Sequence, residues 1–131
     1  MDNWDKVKEW MAQADYDFDT AKVMFETGRY IYCVFMCHLS IEKVLKGFYQ
    51  KTLTEVPPKV HGLVYLAQKQ KLALPENIKY FLESLDRVSI PTRYPSELKK
   101  LLAEYDQERT QHIFRESEEV LIWLKKRLEM P

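Results

Sequence analysis

An arginine and a tyrosine held between two prolines are the residues of this chain best suited to contact a phosphate group. Arg93 and Tyr94 lie between Pro91 and Pro95 in the motif Thr-Arg-Tyr-Pro. Each proline fixes its own φ and restricts the residue before it, so the sequence predicts a stiffened loop instead of a regular helix. A guanidinium on such a loop is a typical phosphate contact, and the tyrosine could stack on a base. The alternative, which composition alone favours, is that Arg93 pairs with an acidic neighbour and holds the loop in place.

A carboxylate and two lysines on one strongly apolar segment form the second candidate. Glu42 falls among apolar side chains when residues 30–53 are drawn as a helix, with Lys43 beside it and Lys46 one turn later. An unpaired charge is costly to bury, so Glu42 needs a cationic partner, and Lys46 and Arg93 both qualify. The pattern fits a polar ligand site between helices and a buried structural ion pair equally well.

Two of the three histidines could act as a base or a metal ligand. His61 could be a general base, a phosphate contact or a helix cap, although single histidines are usually structural. His38 lies close to Cys33 and Cys37, but no second Cys/His pair has the spacing of a zinc site. The sequence therefore predicts no metal site and no cofactor.

His112 follows Arg109 with two residues between them. An arginine on a phosphate and a histidine as acid or base could cleave RNA. A solvated helix start explains the same residues more simply, and the chain has no glycine-rich phosphate loop and no catalytic triad order. No catalytic residue is assigned.

Helical periodicity defines the elements that must position these residues. Residues 30–53 are apolar almost all the way round, which predicts a central helix surrounded by others. The first segment has apolar residues at alternating spacings of three and four, with Asp2 or Asn3 as its cap and Gly28 as its end. A short helix from Leu63, a fourth helix after Pro75, a helical turn or two near Leu98 and a last helix capped by Thr110 complete the chain. The prediction is an all-α, up-and-down four- or five-helix bundle forming one domain over residues 1–131.

Composition narrows the class of protein further. The chain has 20 Lys and Arg against 20 Asp and Glu, so no overall basic field directs it to nucleic acid. Only three glycines argue against a turn-rich β fold. The charged N-terminal segment does not resemble a signal peptide, and no apolar run is long enough to span a bilayer. We therefore expect a cytoplasmic protein with two reduced cysteines and no membrane contact.

The order of short motifs is similar to that of a known family. A first helix ends in Gly-Arg-Tyr, and the central helix carries Ile-Glu-Lys-Val-Leu-Lys-Gly. A Pro-Pro pair, a His-Gly-Leu segment, the Ile-Pro-Thr-Arg-Tyr-Pro segment and a final Trp-Leu-Lys follow. This order resembles the HEPN domain (higher eukaryotes and prokaryotes nucleotide-binding), of the prokaryotic stand-alone type, over nearly the whole chain.

The resemblance implies a helical bundle that is often a homodimer. It also implies a partner, a minimal nucleotidyltransferase encoded beside it, which such proteins bind or assist, sometimes as a toxin–antitoxin pair. On the matching positions, the resemblance places a nucleotide or RNA phosphate site at Glu42, Lys43, Lys46, His61, Arg93 and Tyr94.

The sequence also fits two other functions. Many HEPN proteins are ribonucleases with four to six residues between an arginine and a histidine, and Arg109 and His112, with two residues between them, depart from that spacing. The first alternative is a metal-independent ribonuclease toxin that uses these residues in a shared cleft. The second is a dimeric protein-interaction module without a ligand.

Overall fold

The computed structural model describes residues 1–129 and forms six α-helices. No strand is found among these residues, so the predicted all-α class is confirmed. The segment near Leu98, predicted as a helical turn or two, is a short helix of its own and brings the number of helices to six. The helices are α1 (Asn3–Glu26), α2 (Tyr30–Leu53), α3 (Leu63–Lys69), α4 (Glu76–Arg93), α5 (Leu98–Glu104) and α6 (Gln107–Glu129).

Helix α2 is the centre of the bundle, as its apolar cover predicted. Each of the other five helices contacts it. Ile41, Val44 and Leu45 of α2 are completely buried, and most of the remaining α2 residues after Cys33 are buried as well. Polar residues of α2 therefore lie inside the protein, where each one requires a partner.

Helices α1 and α2 form an antiparallel hairpin, as an up-and-down bundle requires. The Asp2 carboxylate caps α1 by accepting a hydrogen bond of 2.8 Å from the N–H of Asp5. Gly28 ends α1 with a φ of 77°, a conformation that costs glycine little. Gly47 of α2 allows α1 to approach closely, because a Cβ there would lie 3.3 Å from the Cβ of Trp10.

The predicted stiff loop around Arg93 is wrong, because α4 continues through Pro91 to Arg93. Pro91 removes one N–H from the helix ladder. The buried Thr92 hydroxyl donates to the carbonyls of Val88 (2.8 Å) and Ser89 (3.1 Å) and ties this turn together. The second proline does break the helix, since Tyr94, directly before Pro95, has left the helical region with a ψ of 71°. Arg93 is therefore presented from the end of a helix.

The predicted cap of the last helix is also wrong. Helix α6 begins at Gln107, and the Asp106 carboxylate accepts a hydrogen bond of 2.9 Å from the N–H of Arg109. Thr110 is completely buried within the helix. Aspartate and threonine are both good caps, and the burial of Thr110 inside the bundle decides between them.

Cys33 and Cys37 are free and buried side by side on α2. The hydrogen bond with the Cys33 side chain and burial together raise the pKa of the Cys37 thiol well above its ordinary value of 9.0. The thiolate is the reactive form, so we expect Cys37 to resist iodoacetamide at mildly alkaline pH in the folded protein and to react after unfolding. Mass spectrometry of the modified peptides measures this, and rapid labelling of Cys37 in the folded protein would contradict it.

The same pKa shift has a consequence for stability. The folded state keeps the Cys37 proton to a higher pH than the unfolded chain does. The contribution of this thiol to the free energy of unfolding is therefore complete below the ordinary value of 9.0 and falls as the pH rises above it.

Across residues 1–129, the structure contains no helix that is both long and apolar enough to cross a membrane.

Candidate functional site

One buried carboxylate on α2 gathers four nitrogen-bearing side chains around it. Glu42 lies 3.0 Å from the Lys46 ammonium and 3.1 Å from Nδ1 of His61. The Arg93 guanidinium is 3.9 Å away, and Nδ1 of His38 is 4.0 Å away. We call these five residues the Glu42 cluster. It joins α2 to the segment before α3 and to the end of α4.

Burial makes the charges of the Glu42 cluster depend on one another. Glu42 is 3% exposed and Lys46 is 7% exposed, while the Arg93 side chain is 19% exposed. Buried charges are screened by solvent much less than surface charges. Removing one of them leaves its partner buried and unpaired, which destabilises the folded state. Glu42 is thus the shared counterion of Lys46 and Arg93.

Arg93 lies farther from the Glu42 carboxylate than Lys46 does, at 3.9 Å against 3.0 Å. Its guanidinium packs over the ring of Phe35, 4.5 Å from the ring centroid, a cation–π contact that fixes its position. Its Nη2 atom is buried and finds no hydrogen-bond acceptor within residues 1–129, because 3.9 Å to Glu42 is too long for a hydrogen bond. Arg93 therefore keeps a donor that an anion could use.

His61 forms the exposed edge of the Glu42 cluster. Its side chain is 63% exposed although Nδ1 contacts Glu42. The residue belongs to the extended segment that leads into α3, so it is held by this contact and not by a helix of its own. A ligand approaching from solvent would meet His61 first.

Asp86 is a member of this region that the sequence reasoning missed. Its carboxylate accepts hydrogen bonds from the backbone N–H groups of Leu63 (2.9 Å) and Val64 (3.2 Å), at the start of α3. The same carboxylate lies 3.0 Å from Nε2 of His38. The interpretation of His38 as a metal ligand overlooks that a histidine on a buried helix requires a polar partner, which here is Asp86. Asp86 thus fastens α3 to α2 and α4.

Two of the predicted site residues lie apart from the Glu42 cluster. The ammonium of Lys43 pairs with Asp17 of α1 at 2.8 Å, on another side of α2. Tyr94 follows α4 and is 77% exposed, free to contact a ligand but not held against the cluster. The structure therefore brings together Glu42, Lys46, His61 and Arg93 of the six predicted residues.

Arg109 and His112 lie elsewhere, on the first turns of α6. Arg109 packs over the ring of Tyr105, 4.3 Å from its centroid. Nε2 of His112 lies 2.5 Å from the Glu116 carboxylate, and the His112 side chain is 75% exposed. Both residues line an open groove of about 1430 Å³ between α4 and α6. The Glu42 cluster contributes no residue to this groove.

Within the described residues 1–129, no group of three or more Cys, His, Asp or Glu side chains is arranged to hold a metal ion.

These observations define the class of protein as an all-helical bundle with a charged cluster on its central helix. Comparison with known proteins identifies the family. The HEPN domain model matches residues 7–128. The chain therefore belongs to the HEPN domain family. The resemblance drawn from the sequence motifs is confirmed.

Two solved structures with the same fold are distant from this chain in sequence. TT1696 from Thermus thermophilus is 19% identical, with a TM-score of 0.79 over 92% of this chain and 97% of that one. The archaeal HEPN homologue ST0689 is 22% identical, with a TM-score of 0.75 over 95% of this chain and 98% of that one. Comparison with curated proteins gives no match. At these sequence identities the structural similarity establishes the fold alone, so the function must be inferred from the residues of the candidate site.

Proposed function

We propose that the Glu42 cluster binds the phosphate of a nucleotide. The observation that carries this proposal is the buried Nη2 atom of Arg93, which has no hydrogen-bond acceptor among residues 1–129. Arginine in a fixed position is the preferred phosphate contact in proteins. Phe35 supplies the fixed position by packing against the guanidinium.

The neighbouring side chains support the same proposal. An incoming phosphate accepts hydrogen bonds from Arg93 and from the exposed His61, while Glu42 keeps its ion pair with Lys46 at 3.0 Å. Tyr94, exposed beside Arg93, is available to stack on the base. In this scheme Lys43 has no role, because it is paired with Asp17.

We also propose that the protein acts in the cytoplasm as a homodimer with a minimal nucleotidyltransferase, in a pair of the toxin–antitoxin type. Membership of the HEPN family supports this part of the proposal. The bound nucleotide would be the substrate or product of that partner. Copurification of an affinity-tagged HEPN protein with the product of the neighbouring reading frame tests it.

A ribonuclease centred on Arg109 and His112 is the weaker alternative. The groove around these residues is lined by five carboxylates and only two guanidinium groups, and a negative surface repels the RNA backbone. Harmless expression and intact cellular RNA would be the expected result. Growth arrest that disappears in His112→Ala would instead favour the ribonuclease.

Arg93→Ala is expected to abolish nucleotide binding. Isothermal titration with ATP, GTP and AMP should give saturable binding to the wild-type protein and none to the variant, because the donor and the cation are both lost. Arg29→Ala is the matched control, since Arg29 is exposed at the start of α2 and outside the cluster. Equal binding by the wild type and Arg93→Ala would move the site elsewhere. Absence of binding to all three proteins would favour the interaction module without a ligand.

A further inference from the structure

The groove between α4 and α6 has the shape of a site for one helix. Its α4 wall runs from Glu76 to Val88, which at 1.5 Å per residue corresponds to a length of about 18 Å. A helix of about 12 residues spans that length. Helices that bind in grooves do so with an apolar face, so the floor of the groove must be apolar as well.

The floor of the groove meets this requirement. Leu85 is buried at its base, and Val88, Ile113 and Trp123 are partly buried hydrophobic residues packed against the core and open to the groove. Tyr80 stands on the edge and is 70% exposed. These side chains offer an apolar strip with an aromatic ring at each side, the kind of surface that is energetically important in protein interfaces.

The rim of the groove is acidic. Five carboxylates and two guanidinium groups line it, a formal net charge of minus three in a chain that is neutral overall. Glu76, Glu108 and Glu119 make no ion pair within the part of the chain that the structure describes. The carboxylates of the rim are Glu76, Asp106, Glu108, Glu116 and Glu119.

The negative charge of the rim indicates which kind of partner the groove can bind. A second copy of the chain in a symmetric contact would set one acidic rim against another, and like charges across an interface are unfavourable. A basic partner meets the carboxylates with opposite charge and buries its apolar face on the strip. We infer that the groove binds a basic amphipathic helix of a different protein. This inference does not depend on nucleotide binding at the Glu42 cluster.

The probe for this inference is a synthetic helical peptide of about 12 residues, with leucine at helical spacing on one face and lysine on the other. Fluorescence anisotropy of the labelled peptide should show saturable binding to the wild-type protein. The Glu108→Lys/Glu119→Lys double variant should bind it at least roughly tenfold more weakly, a change of about 1.4 kcal/mol. The control is Asp19→Lys/Glu26→Lys, which makes the same charge change at exposed positions of α1 and should bind as the wild type does.

Two further controls separate the groove from general attraction. A peptide of the same composition with its leucines scrambled should bind weakly, because it lacks an apolar face. Arg93→Ala should bind the amphipathic peptide normally, so failure of the nucleotide proposal and failure of this inference give different results.

Three outcomes would overturn the inference. One is equal binding of the scrambled and amphipathic peptides. Another is equal weakening by the groove and α1 double variants. The third is a wild-type dimer, seen by sedimentation, that Tyr80→Glu converts into monomers, because a second copy would then occupy the groove.

Discussion

The Glu42→Gln variant is expected to be less stable than the wild-type protein by about 3 to 5 kcal/mol. The glutamine keeps the shape of the side chain but leaves Lys46 and Arg93 close together without their shared carboxylate. Both cations are largely buried, so water cannot replace the lost charge. Urea denaturation followed by circular dichroism measures the free energy of unfolding of both proteins.

Two variants control for this loss. Glu118→Gln makes the same change at an exposed position of α6 and should alter stability by less than about 0.5 kcal/mol. The double variant Glu42→Met/Lys46→Met replaces the closest ion pair by apolar side chains and should recover part of the stability. If Glu42→Gln were no more harmful than Glu118→Gln, Glu42 would not hold the cluster together.

Ile41→Ala is expected to lower the free energy of unfolding by about 2 to 5 kcal/mol. Ile41 is completely buried on α2, so truncation leaves a cavity at the centre of the bundle. Ile122→Ala on α6 is the matched control, because Ile122 is 50% exposed, and it should cost much less. Similar losses for both isoleucines would mean that α2 is not the centre of the fold.

The architecture could be predicted because its strongest signal is local. The wide apolar cover of residues 30–53 requires neighbours on every side, and α2 has them. The course of the chain at Pro91 could not be predicted in the same way. A proline costs a helix one hydrogen bond, and at this turn the Thr92 hydroxyl bonds backbone carbonyls while Arg93 packs on Phe35. The packing contact joins residues that are far apart in the sequence.

The candidate site, like the fold, could be predicted from the sequence only in part. Burial of Glu42 predicted a cationic partner, and both named partners, Lys46 and Arg93, contact it. Helical spacing places Lys46 on the same face as Glu42 and Lys43 on a different face, whereas the partner of Lys43, Asp17 on α1, could not be read from the sequence alone. Asp86 was missed for a related reason, since its hydrogen bonds go to backbone groups of α3 and carry no sequence signal.

The most direct test of phosphate binding at the Glu42 cluster is a crystal structure of the protein with a bound nucleotide. We expect a phosphate oxygen within hydrogen-bond distance of Nη2 of Arg93, with His61 turned towards the same phosphate and Glu42 still paired with Lys46. Nucleotide density at any other place, with Arg93 still lacking an acceptor, would contradict it.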